Sequence, residues 1–233
     1  MDKFMDKQEI LEKKIKEWGA SLVGFSNLEE IVPENLSDIP YGISIVIKLS
    51  DRIVDEITDK PTHTYYHHYR AVNNLIDLIT LRTVLLLEKW GYKALAVPAS
   101  QSIADLGEYR GLFPHKTAAT RAGLGWIGKN GLLVTEEYGP RVRLGTVLTN
   151  MPLRTGTPIT QSRCGNCRIC VDACPAMALY GTLWKEGIPR EEIVDAKACS
   201  EYMKNFKHIG RGHVCGICME VCPYGKRKKS VDR

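Results

Sequence analysis

All eight cysteines of this 233-residue chain lie at or beyond Cys164, and the 163 residues before them contain none. Disulfides that staple a secreted chain are spread along it. Thiols crowded into one end of a chain with no secretion signal point to metal instead. Cys164, Cys167, Cys170 and Cys174 read C-x2-C-x2-C-x3-C-P. This is the run that bacterial ferredoxins use for 4Fe–4S clusters, and its fourth cysteine ligates the other cluster of the pair. A second set, Cys199, Cys215, Cys218 and Cys222, has the same C-x2-C-x3-C-P ending, with its first member 16 residues upstream of the second. The exchange rule allots Cys164, Cys167, Cys170 and Cys222 to one cluster, and Cys174, Cys199, Cys215 and Cys218 to the other. Zinc prefers two separated C-x2-C pairs around one tetrahedral ion, and a run of three fits that poorly.

Carrying two clusters takes only the cysteine-bearing segment, so the long leading part has another task. The length allows one α/β domain and a small appendage. A hydrophobic fraction of 44% and a charged fraction of 25% are ordinary for a soluble globular protein. No apolar run approaches the length of a membrane span, so no membrane partner is expected. The N-terminus "MDKFMDKQEILEKKIKEWG" is charged throughout, without a signal-peptide core, which predicts a cytoplasmic protein. The net charge of +5 is partly concentrated in the tail "GKRKKSVDR", which reads as a solvated end or a handle for nucleic acid.

Periodicity places the elements. Gln8 to Trp18 reads as an amphipathic helix, and Ser21 to Phe25 as a short buried strand. Tyr41 to Leu49 alternates and is β-branched, hence a strand. A long helix is expected from about Thr64 to Trp90, closed by Gly91. Lys93 to Ser100 reads as a strand, and His115 to Ala122 as a helix ended by Gly123. "GLLVT" and "RVRLGTVLT" are expected to pair across the turn "EEYGP". The pattern is α/β, with short helices and loops around the cysteines. The stretch "NMPLRTGTPITQS" marks a boundary, giving domains at 1–155 and 156–233.

One stretch remains unexplained, "RAGLGWIGKNGLLV", from Arg121 to Val134. Its glycines permit positive φ or close approach to a flat group, but the spacing matches neither a dinucleotide fingerprint nor a P-loop. Read from the residues alone, it is either a tight helix-to-strand turn anchored by Trp126 or a cofactor cradle.

That stretch, with "VRLGTVLTNMPL", "CGNCRICVDACPAMAL" and "ACSEYM…VCGICMEVCPYGKR", resembles epoxyqueuosine reductase and, more remotely, the reductive dehalogenases. The resemblance covers roughly residues 114–227. It implies a nitroreductase-like α/β domain holding base-off cobalamin, followed by a ferredoxin-like domain with two 4Fe–4S clusters. Electrons would come from a donor such as a flavodoxin or ferredoxin and pass through the clusters to cobalt. A small molecule or modified nucleoside would be reduced, with a side chain supplying the proton. The resemblance places Ser100, Lys116, Gly123, Gly125, Trp126, Lys129 and Asn130 near the corrin. Flavin is the other cofactor that such domains hold.

This chain departs from the family pattern in three places. "YYHHYR" stands where the family has an acidic residue opening the long helix, so the proton donor is sought among His67, His68 and Tyr69. "PASQSIADLGEYRGLFPHK" replaces the family's D-S-A-P…E-R, with Lys116 keeping the positive charge. The family enzyme continues into a helical repeat domain that helps hold tRNA, whereas this sequence reads as a short form without it. The corrinoid and electron-transfer chemistry is therefore expected more strongly than a tRNA partner. An iron–sulfur electron donor to a separate corrinoid or flavin protein is the alternative expectation.

Overall fold

A computed structural model of the chain describes residues 6–103, 109–210 and 214–226, so the basic tail beyond residue 226 lies outside the described residues. The chain separates into two compact units, each built from discontinuous segments. The first comprises residues 1–48, 71–124 and 143–159, and the second residues 49–70, 125–142 and 160–233. The boundary read from the sequence at 155/156 falls within the last segment of the first unit.

The first unit carries a four-stranded sheet of order β1 (Leu22–Asn27), β2 (Tyr41–Lys48), β6 (Val142–Thr149) and β3 (Ala94–Val97). Strand β1 runs antiparallel to β2, from Leu22↔Val46 to Asn27↔Tyr41. Strand β3 runs antiparallel to β6, from Ala94↔Thr149 to Val97↔Thr146. Six consecutive residues of β2 are buried, the mark of a strand covered on both faces. Helix α1 (Lys7–Glu17) starts where the Asp6 side chain accepts from the Gln8 amide, and it buries Gln8, Leu11 and Ile15 at helical spacing. The Gln8 side chain donates to the Arg154 carbonyl (3.0 Å) and accepts from the Arg154 amide (2.8 Å). The long helix α3 (His63–Lys89) contributes its residues from Ala71 onward to this unit. There Ile76 and Ile79 are fully buried, and the helix packs so tightly that a Cβ on Gly145 would lie 2.4 Å from Ile76 Cγ2. Helix α4 (His115–Arg121) sets Ala118 into a core with Leu28, Leu36, Ile39, Val97, Phe113 and Leu148.

The second unit has little regular structure. Its helices α2 (Asp51–Val54), α5 (Ile169–Asp172) and α7 (Ile217–Glu220) are single turns, and α6 (Ala196–Met203) has eight residues. Strands β4 (Trp126–Ile127) and β5 (Leu133–Val134) form a small antiparallel hairpin, and α5 packs against α7. Single bridges join Gln161 to Lys185 and Leu179 to Val194. Among the described residues, no helix is long and apolar enough to cross a membrane.

The expected pairing of "GLLVT" with "RVRLGTVLT" is not formed. Across "EEYGP" there is only the bridge Thr135↔Gly139; β5 pairs with β4, and β6 lies between β2 and β3. Burial explains the difference. The last five residues of β6 are all buried, and only the interior of a sheet covers a strand so fully.

Candidate metal centre

The two C-x2-C-x3-C-P segments fold alike. Cys167 precedes α5, Cys170 lies within it, and Cys174 follows it before Pro175. Cys215 precedes α7, Cys218 lies within it, and Cys222 follows it before Pro223. The proline cannot donate a backbone hydrogen bond and ends each turn. Cys199 comes from α6, whose N-cap Asp195 accepts from the Ala198 amide at 2.8 Å.

The packing of α5 on α7 brings thiols together across the two segments. Cys164, Cys167, Cys170 and Cys222 line one pocket, with Lys129, Asn130, Val134, Pro223 and Tyr224. Burial pushes the Cys170 thiol up to about 12, and the neighbouring Cys222, Cys164 and Cys167 add to it. The other four gather likewise. Burial raises Cys199 to about 11, with contributions from Cys215, Cys174 and Asp195. Cys218 is raised well above the usual thiol range, first by burial, then by Cys215, Cys199, Cys170 and Cys174. Such thiols stay protonated and unreactive until a metal replaces the proton, so metal uptake must release protons. Among the described residues, no three His, Cys, Asp or Glu side chains close on a single ion.

The glycine-rich stretch braces these loops. Lys129, buried at 5% exposure, donates from Nζ to the carbonyls of Gly165 (2.8 Å) and Cys167 (3.0 Å). Asn130 donates from Nδ2 to the Cys218 carbonyl (3.3 Å), while its Oδ1 accepts from the Leu132 amide (3.1 Å). Hairpin β4–β5 thus holds one residue against each cysteine loop. Trp126 is fully buried, with the Tyr224 ring edge-on at 4.9 Å and the Arg163 guanidinium 5.4 Å from its centre. A Cβ on Gly125 would lie 2.3 Å from the Val134 carbonyl oxygen, so this glycine is required by the chain's own close approach.

The remaining residues singled out in the sequence are placed as follows. Ser100 is exposed in the turn after β3, and Lys116 is half-buried in α4. Gly123 has φ +76°, and a Cβ there would meet the Thr157 carbonyl oxygen at 2.7 Å. These three belong to the first unit; Gly125, Trp126, Lys129 and Asn130 belong to the second. In the opening turns of α3, counted with the second unit, His67 is exposed while His68 and Tyr69 are half-buried. His68 Nε2 accepts from the Ser50 amide at 3.0 Å, and burial lowers its pKa. Tyr69 stacks obliquely on Tyr65, with ring centres 6.4 Å apart.

Two further polar sites join side chains that are far apart in sequence. Arg141, 2% exposed, meets Asp55 at 2.7 Å and Asp51 at 3.3 Å and donates to the Glu220 carbonyl at 3.5 Å. In the first unit, His115 Nε2 lies 3.0 Å from the Pro98 carbonyl and Nδ1 2.8 Å from Thr146 Oγ1. A carbonyl only accepts, so the proton sits on Nε2 and the threonine hydroxyl donates to Nδ1. Burial lowers this histidine's pKa, and the bond to Pro98 opposes that shift.

A family described as 4Fe-4S double cluster binding domain matches residues 163–225. An epoxyqueuosine reductase of Synechocystis is 34% identical over 213 residues, 86% of this chain and 66% of that protein. One from Listeria monocytogenes is 35% identical over 151 residues, 60% of this chain and 36% of that protein. Across such relatives the match spans between 31% and 66% of their length. The structure of epoxyqueuosine reductase from Streptococcus thermophilus superposes with a TM-score of 0.63 at 23% identity, covering 96% of this chain and 67% of that one. A reductive dehalogenase described in terms of B12-dependent dehalogenation gives 0.75 at 19% identity, covering 100% of this chain and 34% of that one. At these identities the structural matches establish the fold, a mixed α/β architecture with a double-cluster segment.

Proposed function

Because the chain belongs to the epoxyqueuosine reductase-like family, we propose that it is an iron–sulfur oxidoreductase passing electrons through two 4Fe–4S clusters to a corrinoid, for reduction of a small molecule or modified nucleoside. The observation that carries the electron-transfer part is the grouping of eight cysteines into two fours across the repeated segments. Cys164, Cys167, Cys170 and Cys222 hold one cluster; Cys174, Cys199, Cys215 and Cys218 hold the other. The donor set fits: it consists of thiols alone, half-buried or buried, with backbone carbonyls and amides around them. The electron donor is a small redox protein such as a flavodoxin or ferredoxin. A tRNA substrate belongs to the same proposal only through a solved epoxyqueuosine reductase structure described with a modified tRNA stem loop.

A corrinoid supplies a metal centre that takes electrons at low potential and delivers them to a substrate. Ser100, Lys116 and Gly123 are the residues of the first unit that would meet it. The proton is assigned to one of His67, His68 and Tyr69. Successive residues on a helix point about 100° apart, so only one of them serves a given substrate. His68 uses Nε2 as an acceptor from Ser50 and is neutral, which leaves His67 and Tyr69 as the better donors.

A second reading, electron transfer to a separate corrinoid or flavin protein, is favoured by one observation. Gly123 and Gly125 each face the chain's own backbone, Trp126 is packed by Tyr224 and Arg163, and Lys129 and Asn130 bond the cysteine loops. On this reading these residues serve the clusters and the turns rather than a corrin. The test is to mix anaerobic protein containing both clusters with excess cobalamin, desalt it, and measure cobalt and the visible spectrum. Retained stoichiometric cobalt supports the first reading. No retained cobalt and no spectral change reject it in favour of the second.

A further inference from the structure

A charged side chain of opposite sign stands beside each cysteine group. Lys129 comes from hairpin β4–β5 and lines the pocket of Cys164, Cys167, Cys170 and Cys222. Its ammonium is buried, and the two groups it donates to are neutral carbonyls. Its charge is therefore expressed in a medium that screens poorly. At the other group, Asp195 caps α6 and its backbone carbonyl accepts from the Cys199 amide at 3.1 Å. Its carboxylate caps the same turn of α6 that carries Cys199, accepting from the Ala198 amide at 2.8 Å. Reducing a 4Fe–4S cluster adds one negative charge without breaking a bond. A nearby cation stabilises that state, and an anion opposes it.

We propose that Lys129 and Asp195 set the two clusters at different potentials. Lys129 raises that of the cluster held by Cys164, Cys167, Cys170 and Cys222, and Asp195 lowers that of its neighbour. Electrons accordingly run from the Cys199 cluster to the Lys129 cluster. This rests on the cysteine assignment above and not on the corrinoid. Lys129 is a positioning residue here: it orders the first loop through two carbonyls and biases the cluster through its charge.

The test is a redox titration followed by electron paramagnetic resonance on the full chain, loaded with iron anaerobically and without any corrinoid. The wild type should show two separated one-electron transitions. Lys129→Gln should lower the upper midpoint by about tenfold in the reduction equilibrium, about 59 mV for one electron, and leave the lower one in place. Lys129→Arg should restore most of the shift. Asp195→Asn, which keeps the helix cap, should raise the lower midpoint and narrow the gap. A fully loaded Lys129→Gln protein with both midpoints unmoved, or both moved equally, overturns the proposal. If that variant takes up no iron, Asp195→Asn decides: a narrowed gap supports the proposal and an unchanged gap overturns it. A wild type that lacks two clusters strikes the cysteine assignment instead.

Discussion

The first unit buries a four-stranded sheet, with α1, α4 and most of α3 contributing fully buried aliphatic side chains such as Leu11, Ile15, Ile76 and Ile79. The second unit consists of one-turn helices, a hairpin of two-residue strands and long connecting loops. Helices that short do not persist by themselves. In the first unit, burial of apolar surface is sufficient reason for the fold. In the second, Cys170 and Cys222 are buried beside apolar side chains such as Trp126, Val134 and Met219, and metal–thiolate bonds would add to what that apolar burial supplies. On the proposed assignment, one chain thus combines a part held by the hydrophobic effect with a part in which metal–thiolate bonds add to it.

The sharpest way to break this comparison is to remove the iron. Oxidative chelation should abolish amide-exchange protection across residues 163–225 while β2 and β6 stay protected. Equal loss in both regions, or in neither, would contradict the distinction. A smaller effect follows from the opposite perturbation. Ile45 is fully buried in β2, and Ile45→Ala should cost about 2–5 kcal/mol of unfolding free energy. Urea unfolding would report it, with the iron content of the folded protein unchanged. Smaller again is Gly123→Ala, where positive φ and the approach to Thr157 should cost about 1–3 kcal/mol. A neutral result would return this glycine to the role of opening space for a ligand.

The smallest effect is that of pH. Burial lowers the pKa of His115 from the ordinary 6.5, so the unfolded chain binds a proton that the folded chain refuses. Stability from this source is present above pH 6.5 and is lost as the pH falls below it. Melting temperature should therefore drop between pH 7.5 and 5.5, and His115→Gln should flatten part of that drop. A drop of the same size in the variant would remove His115 as its cause.

Local spacing carried the sequence reading far. The cysteine runs, the helix around Val72 to Leu87, and the strands at Tyr41 and Ala94 are all encoded within a few residues of themselves. What was not legible is pairing at a distance. Nothing in "RVRLGTVLT" says that its partners are β2 and β3 rather than the adjacent "GLLVT"; the choice depends on which neighbour covers both faces of a buried strand. Lys129 and Asn130 stood out as polar residues among glycines, but their targets, the carbonyls of Gly165, Cys167 and Cys218, lie 36, 38 and 88 residues away. Arg141 drew no notice because Asp51 and Asp55 are distant in sequence and follow no motif.

The central claim is that two clusters exchange their fourth ligands between the repeated segments. Thiol alkylation of anaerobic Cys222→Ala, read residue by residue in a mass spectrometer, tests it most directly. Iron should fall from about eight to about four per chain. Cys164, Cys167 and Cys170 should become alkylated, while Cys174, Cys199, Cys215 and Cys218 stay protected. Alkylation of Cys215 and Cys218 with Cys164, Cys167 and Cys170 still protected would contradict the crossed assignment.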